Sequence, residues 1–205
     1  MDKINKKLKI YLLLAFTVFL FSSCSIFVPT QESNLQYVFD MYGLNFNRGD
    51  KFYLKHCIWY EDPMNISAMN YLKGRVLSVG DEIEFIKSFP RYVIFKTVKN
   101  GKEYKINNDV DRTLLSDFNQ FHRIFTNKNP LENVNASKKV IALLKRGRII
   151  NGMTRKQVLL AYGLPPRAFN PPMSKTTWVY FLDRQFVARH VVFNRNDKVI
   201  YVFDC

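Results

Sequence analysis

The chain is poor in reactive side chains. It holds three Cys and three His among 205 residues, which leaves little material for a metal site or a thiol relay. His56, His122 and His190 are far apart in sequence, and none belongs to an H-E-x-x-H pair. G-x-S-x-G, C-x-x-C, G-x-G-x-x-G and P-loop patterns are all missing, so no common nucleophile or phosphate-cradle signature is present. Glu82 and Glu84 sit two apart on a strand pattern, which reads as the polar face of that strand rather than as an acid–base pair. No catalytic residue, metal ligand or cofactor is expected, and the chain reads as a non-enzyme. A bilayer core needs about 20 apolar residues to cross, and the apolar run at residues 10–21 has 12.

Acidic residues are scarce in one region only. Lys and Arg number 31 against 17 Asp and Glu, a formal charge of +14. Residues 24–132 hold 14 basic and 13 acidic side chains, whereas residues 133–205 hold 13 basic and 3 acidic. Such asymmetry fits an anionic partner for the C-terminal region, or a merely soluble basic surface. What the chain has in quantity is aromatic area: 18 Phe and 11 Tyr against 8 Gly. That is enough for an ordinary core.

The N-terminus reads as an address. Lys3, Lys6, Lys7 and Lys9 precede the short apolar run, and Ser22 and Ser23 follow it, the layout of a secretory signal. Leu20, Phe21, Ser22, Ser23 and Cys24 together resemble a bacterial lipobox, although Phe21 is larger than usual there. The resemblance implies cleavage before Cys24, acylation of Cys24, and anchoring by the acyl chains (palmitate among them). Ser25 after the Cys implies the periplasmic face of the outer membrane in a Gram-negative cell. An exported chain makes nucleic acid an unsuitable partner for the basic region. Anionic phospholipid or an acidic protein surface fits better. Cys57 and Cys205 then remain, and a disulfide between them is a candidate in an oxidising compartment.

The expected layout is a signal peptide at 1–23, a lipidated Cys and tether at 24–34, and a β-rich domain with one amphipathic helix at 35–125. A linker at 126–136 and a small domain at 137–205 complete it. Residues 51–60 read as one strand. Residues 91–98 and 102–106 flank Asn100-Gly101, a type I′ hairpin signal. Leu114, Phe118, Phe121 and Phe125 line one face of a helix over 110–125. Residues 137–146 form a helix, and Thr154 with Gln157 forms a capping box that opens a second. Strands at 176–182, 186–194 and 198–203 close an α+β layer of two helices on a three-stranded antiparallel sheet.

Within residues 137–205, Gly152-Met153-Thr154, Val158, Gly163, Pro165, Trp178 and Tyr180 follow one another in the order of a known pattern. That order resembles the SmpA/OmlA (BamE-like) family of outer-membrane lipoproteins, and residues 35–125 lie outside the family's usual extent. The resemblance implies a non-catalytic binding or scaffold subunit that works with the β-barrel assembly complex or in envelope maintenance. It also implies anionic phospholipid and envelope proteins as partners. The alternative is a periplasmic lipoprotein that binds or inhibits another protein or ligand, because secreted β-lactamase-inhibitory proteins share this small fold. Charge clustering around the two helices nominates Lys138, Lys139, Lys145, Arg146, Arg148, Arg155 and Lys156 as the partner or lipid surface.

Overall fold

Strict alternation of apolar and polar side chains builds the first sheet. Ile83 and Phe85 point inward from a strand whose other face carries Glu82 and Glu84, which is the period-two pattern of a half-buried strand. The computed structural model describes residues 48–166, 169–170 and 176–205. The signal peptide, Cys24 and the tether lie outside the described residues. In chain order the strands are β1 (Lys51–Leu54), β2 (Ile58–Tyr60), β3 (Ile66–Ser67), β4 (Arg75–Leu77), β5 (Glu82–Phe89), β6 (Tyr92–Thr97) and β7 (Glu103–Asn107). Helices α1 (Val110–Thr113) and α2 (Asp117–Ile124) follow, then β8 (Phe125–Thr126), α3 (Lys138–Lys145) and α4 (Arg155–Tyr162). The chain ends in β9 (Thr177–Phe181), β10 (Ala188–Phe193) and β11 (Val199–Asp204).

The protein is a mixed α+β structure with three sheets among the described residues. Six strands run in the order β3-β7-β6-β5-β1-β8, three in the order β11-β10-β9, and β2 pairs with β4. Among the described strands only the β3–β7 pairing is parallel. Phe52, Phe85, Phe95, Phe121 and Phe125 fill the core under the large sheet, with Leu54, Ile66, Ile83 and Ile106 around them. A fully buried side chain of this size contributes roughly 1.5–3 kcal/mol.

Three expectations about this half need correction. Residues 51–60 are two strands in different sheets, broken at Lys55, His56 and Cys57, where Cys57 turns into the second core while Leu54 and Ile58 on either side stay in the first. The helix over 110–125 is broken. Leu114 caps α1 in a left-handed conformation (φ +54°) and is 58% exposed. Ser116 then accepts a hydrogen bond from Asn119 N–H and starts α2, an N-cap strong enough to begin a new helix. Phe125 leaves the helix for β8, which pairs with β1. The hairpin between β6 and β7 is present, but its loop is wider than a type I′ turn. Gly101 has φ +67° while Asn100 does not have positive φ, and Gly101 N–H reaches back to the Thr97 carbonyl at 2.9 Å.

Two caps decide where the C-terminal helices start. Ser137 Oγ accepts from Val140 N–H at 3.3 Å. Thr154 and Gln157 make the reciprocal capping box, at 3.2 and 2.9 Å. The antiparallel sheet β11-β10-β9 supplies Trp178, Tyr180, Val191, Phe193 and Val199 to a second core, joined by Leu144 from α3 and by Val158, Ala161 and Tyr162 from α4. That core also takes Cys57, Leu72 and Val79 from the N-terminal half. All described residues accordingly fall in one compact unit. The segment expected as a linker is packed as well: Thr126 lies in β8, and Leu131 and Val134 sit against the second core.

Candidate functional site

The described hydrogen bonds across the seam between the halves join uncharged groups. Asn70 is buried with φ +55°, a left-handed conformation that Asn tolerates better than most residues. Its amide nitrogen donates to the Cys57 carbonyl at 2.9 Å and to the Tyr162 carbonyl at 3.0 Å, and its oxygen accepts from Trp59 N–H at 2.9 Å. Leu72 N–H donates to the Phe181 carbonyl at 2.9 Å. Gly163 ends α4 with φ +81°, and a Cβ there would stand 2.6 Å from His56 Cδ2. Only a residue without a side chain lets the helix end approach that ring so closely. Gly147 does the same after α3, where a Cβ would meet Trp59 Cζ2 at 2.6 Å.

His56 is 7% exposed. Burial first, and then the charges of Lys55 and Arg123, push its pKa down to about 4. The imidazole is therefore neutral at physiological pH. Cys57 is fully buried, donates its thiol hydrogen to the Leu144 carbonyl at 3.1 Å, and accepts from Val79 N–H at 3.4 Å. Burial pushes that thiol up to about 11, so it stays protonated and unreactive. The candidate disulfide is not formed: Cys57 is free inside the core, and Cys205 is free and exposed at the chain end.

Beside the seam lies an open groove of about 850 Å³. Lys55, His56, His122 and Arg123 form one wall, the segment around Lys128, Pro130 and Val134 forms the rim, and Lys156, Leu159 and Leu160 of α4 form the other wall. Lys55 Nζ donates to the His122 carbonyl at 2.6 Å. Burial lowers the Lys55 pKa, and burial followed by the Lys55 charge lowers that of His122.

The nominated basic residues divide into two kinds. Lys138, Lys139, Lys145, Arg146, Arg148 and Lys156 are exposed. Arg155 instead holds the fold together. Its Nε donates to Asp197 Oδ1 at 2.7 Å, and its guanidinium lies 4.2 Å from the Phe193 ring centroid and 5.0 Å from that of Trp178. The other motif residues are structural as well. Gly152 turns the chain with φ +88°, Met153 and Val158 are buried, and Pro165 is buried after the helix end. Trp178 is fully buried, and the Tyr180 hydroxyl donates to the Gly163 carbonyl at 3.0 Å. Glu82 and Glu84 pair with Lys51 and Lys96 at 3.4 and 2.8 Å.

The sequence pattern does not single out Asn70, Lys55 or Lys128. The Asn70 side chain carries no local signal, since its partners are 11 to 92 residues away. A second feature without a sequence signal is the outer side of β11, an edge strand among the described residues. Tyr201 is 67% exposed, Phe203 50% and Ile200 37%, and His190 stacks on Phe203 at 4.9 Å. Among the described residues no group of three His, Cys, Asp or Glu side chains could hold a metal ion. No helix among them is long and apolar enough to cross a membrane. No family model, curated protein or solved structure is significantly similar to the chain.

Proposed function

We propose that this protein is a non-catalytic binding or scaffold subunit, anchored to the periplasmic face of the outer membrane by acyl chains on Cys24. It acts in the assembly of β-barrel outer-membrane proteins or in envelope maintenance. The observation that carries this reading is the exposed aromatic edge strand β11. The start of this edge is covered, since Val199 N–H donates to the Met153 carbonyl and the Val199 carbonyl accepts from Gly152 N–H, but the exposed Tyr201 and Phe203 beyond it can give ring contacts to a partner. The exposed lysines and arginines around α3 and α4 add a surface for acidic protein or anionic phospholipid headgroups. The motif order in residues 137–205 supports a BamE-like arrangement of α3 and α4 on the C-terminal sheet. Affinity purification from detergent-solubilised outer membranes, with mild crosslinking and mass spectrometry, tests the reading. Recovery of barrel-assembly subunits is expected; their absence with Cys24 acylated overturns it.

A second reading has its own observation. A periplasmic lipoprotein that binds or inhibits another protein or ligand fits the open groove beside the seam better than a pure scaffold does.

A further inference from the structure

The wall chemistry of that groove selects its occupant. Among the described residues, four cationic side chains line it, Lys55, Arg123, Lys128 and Lys156, and no Asp or Glu does. Lys55 is the least ordinary of them. Its ammonium is partly withdrawn from water and rests on a neutral carbonyl, that of His122. A cation so placed gains from an arriving anion, because the cost of its desolvation is already met by the fold. His56 and His122 add no positive charge near neutral pH, since burial and the Lys55 charge both favour their neutral forms. Leu159, Leu160, Leu164 and Val134 give the same groove apolar ground. Its volume of about 850 Å³ falls within the usual range of small-molecule sites, about 300–1,000 Å³.

We infer that the groove binds an amphipathic anion of small-molecule size. A carboxylate or phosphate head lies toward Lys55, with Lys128 and Lys156 at the rim, and one acyl or aryl body lies along Leu159, Leu160 and Val134. The inference is independent of which protein partner β11 meets, because the occupant is a ligand and the groove is a separate surface.

The test titrates the full chain with 4-phenylbutyrate, its neutral counterpart 4-phenylbutanol, and acetate, each against a protein-free blank. One equivalent of 4-phenylbutyrate is expected to bind, with the alcohol and acetate each at least about tenfold weaker. Lys55→Gln is expected to weaken binding about tenfold, the usual size of a charge-assisted hydrogen bond. The double variant Lys128→Gln/Lys156→Gln alters two exposed side chains. It is expected to weaken binding similarly while leaving thermal unfolding unchanged, which covers the case in which Lys55→Gln does not fold. The His122 ring resonances should shift with 4-phenylbutyrate and not with the alcohol. Equal binding of acid and alcohol overturns the role of charge. Acetate as tight as 4-phenylbutyrate overturns the apolar contribution, and unchanged affinity in the double variant overturns the location.

Discussion

The two cores of this molecule close in different ways. Among the described residues, the core under the six-stranded sheet is made from residues 52–125, so the N-terminal half supplies both of its sides. The second core rests Trp178, Val158 and Leu144 against Cys57, Leu72 and Val79, and it has no complete wall without the other half. Two glycines and one asparagine set this dependence. Gly147 and Gly163 let helix ends close on Trp59 and His56, and Asn70 ties the Tyr162 carbonyl across the seam to Cys57 and Trp59 of its own half. A C-terminal piece of some 70 residues is also near the size at which one core barely offsets chain entropy. Half-independence of this kind makes the groove beside the seam a property of the whole unit.

The sharpest way to break the comparison is to cut the chain. Residues 137–205 alone should fail to give a dispersed amide NMR spectrum and should bind a hydrophobic dye, because the apolar face that meets Cys57, Leu72 and Val79 is then bare. A dispersed spectrum with the shifts of the full chain would show that the second core closes by itself. Next in size is Asn70→Ala. It leaves the carbonyls of Cys57 and Tyr162 and the Trp59 N–H without their partner, and it places Ala at positive φ. Losing a buried partner costs about 1–3 kcal/mol per group, so a loss of roughly 3–4 kcal/mol in urea unfolding is expected. A change below 1 kcal/mol would mean that the seam contributes little.

Acid should loosen the seam before it touches the first core. His56 has an unfolded pKa near 6.5 and a folded pKa of about 4. The unfolded chain thus takes up the proton first. The stability from keeping His56 neutral is complete above about pH 6.5 and is lost as pH falls toward 4. At 1.36 kcal/mol per pKa unit the loss reaches up to about 3 kcal/mol. Chemical denaturation of the wild type and of His56→Gln at pH 7 and pH 4 reads this directly. The stability difference between them should shrink by about that amount, and a constant difference would place the titration elsewhere.

How much of this is legible in the sequence depends on the range of the contacts that decide each element. The hairpin arms β5 to β7, the capping box at Thr154 and the strands β9 to β11 follow from neighbours in sequence, and the sequence pattern finds them. The break at Leu114 escapes the pattern because four apolar residues at helical spacing outweigh the Ser116 cap. In the fold Asp117 also accepts from Arg91 N–H at 2.9 Å, a contact no periodicity reports. Residues 51–60 read as one strand because both sides of the break are aromatic and β-branched. Nothing local says that Cys57 faces a different core from Leu54 and Ile58. Arg155 groups with its charged neighbours in sequence, although its guanidinium lies over Phe193 and Trp178. The groove is illegible for the same reason, since its walls come from residues 55–56, 122–135 and 154–164.

The smallest expected effect marks the other side of the comparison. The polar face of the first sheet carries cross-strand pairs, Lys51 with Glu82 and Lys96 with Glu84. Both carboxylates are about a third exposed, so solvent screens the attraction, and holding two long side chains together costs rotamer entropy. Glu84→Gln should lower stability by less than about 1 kcal/mol, and the effect should fade as salt rises from about 0.05 to 0.5 M. Urea unfolding at both salt concentrations checks it. A loss as large as that of Asn70→Ala, unmoved by salt, would mean that the first core also leans on a polar network. The contrast between a self-sufficient core and a dependent one would then fail.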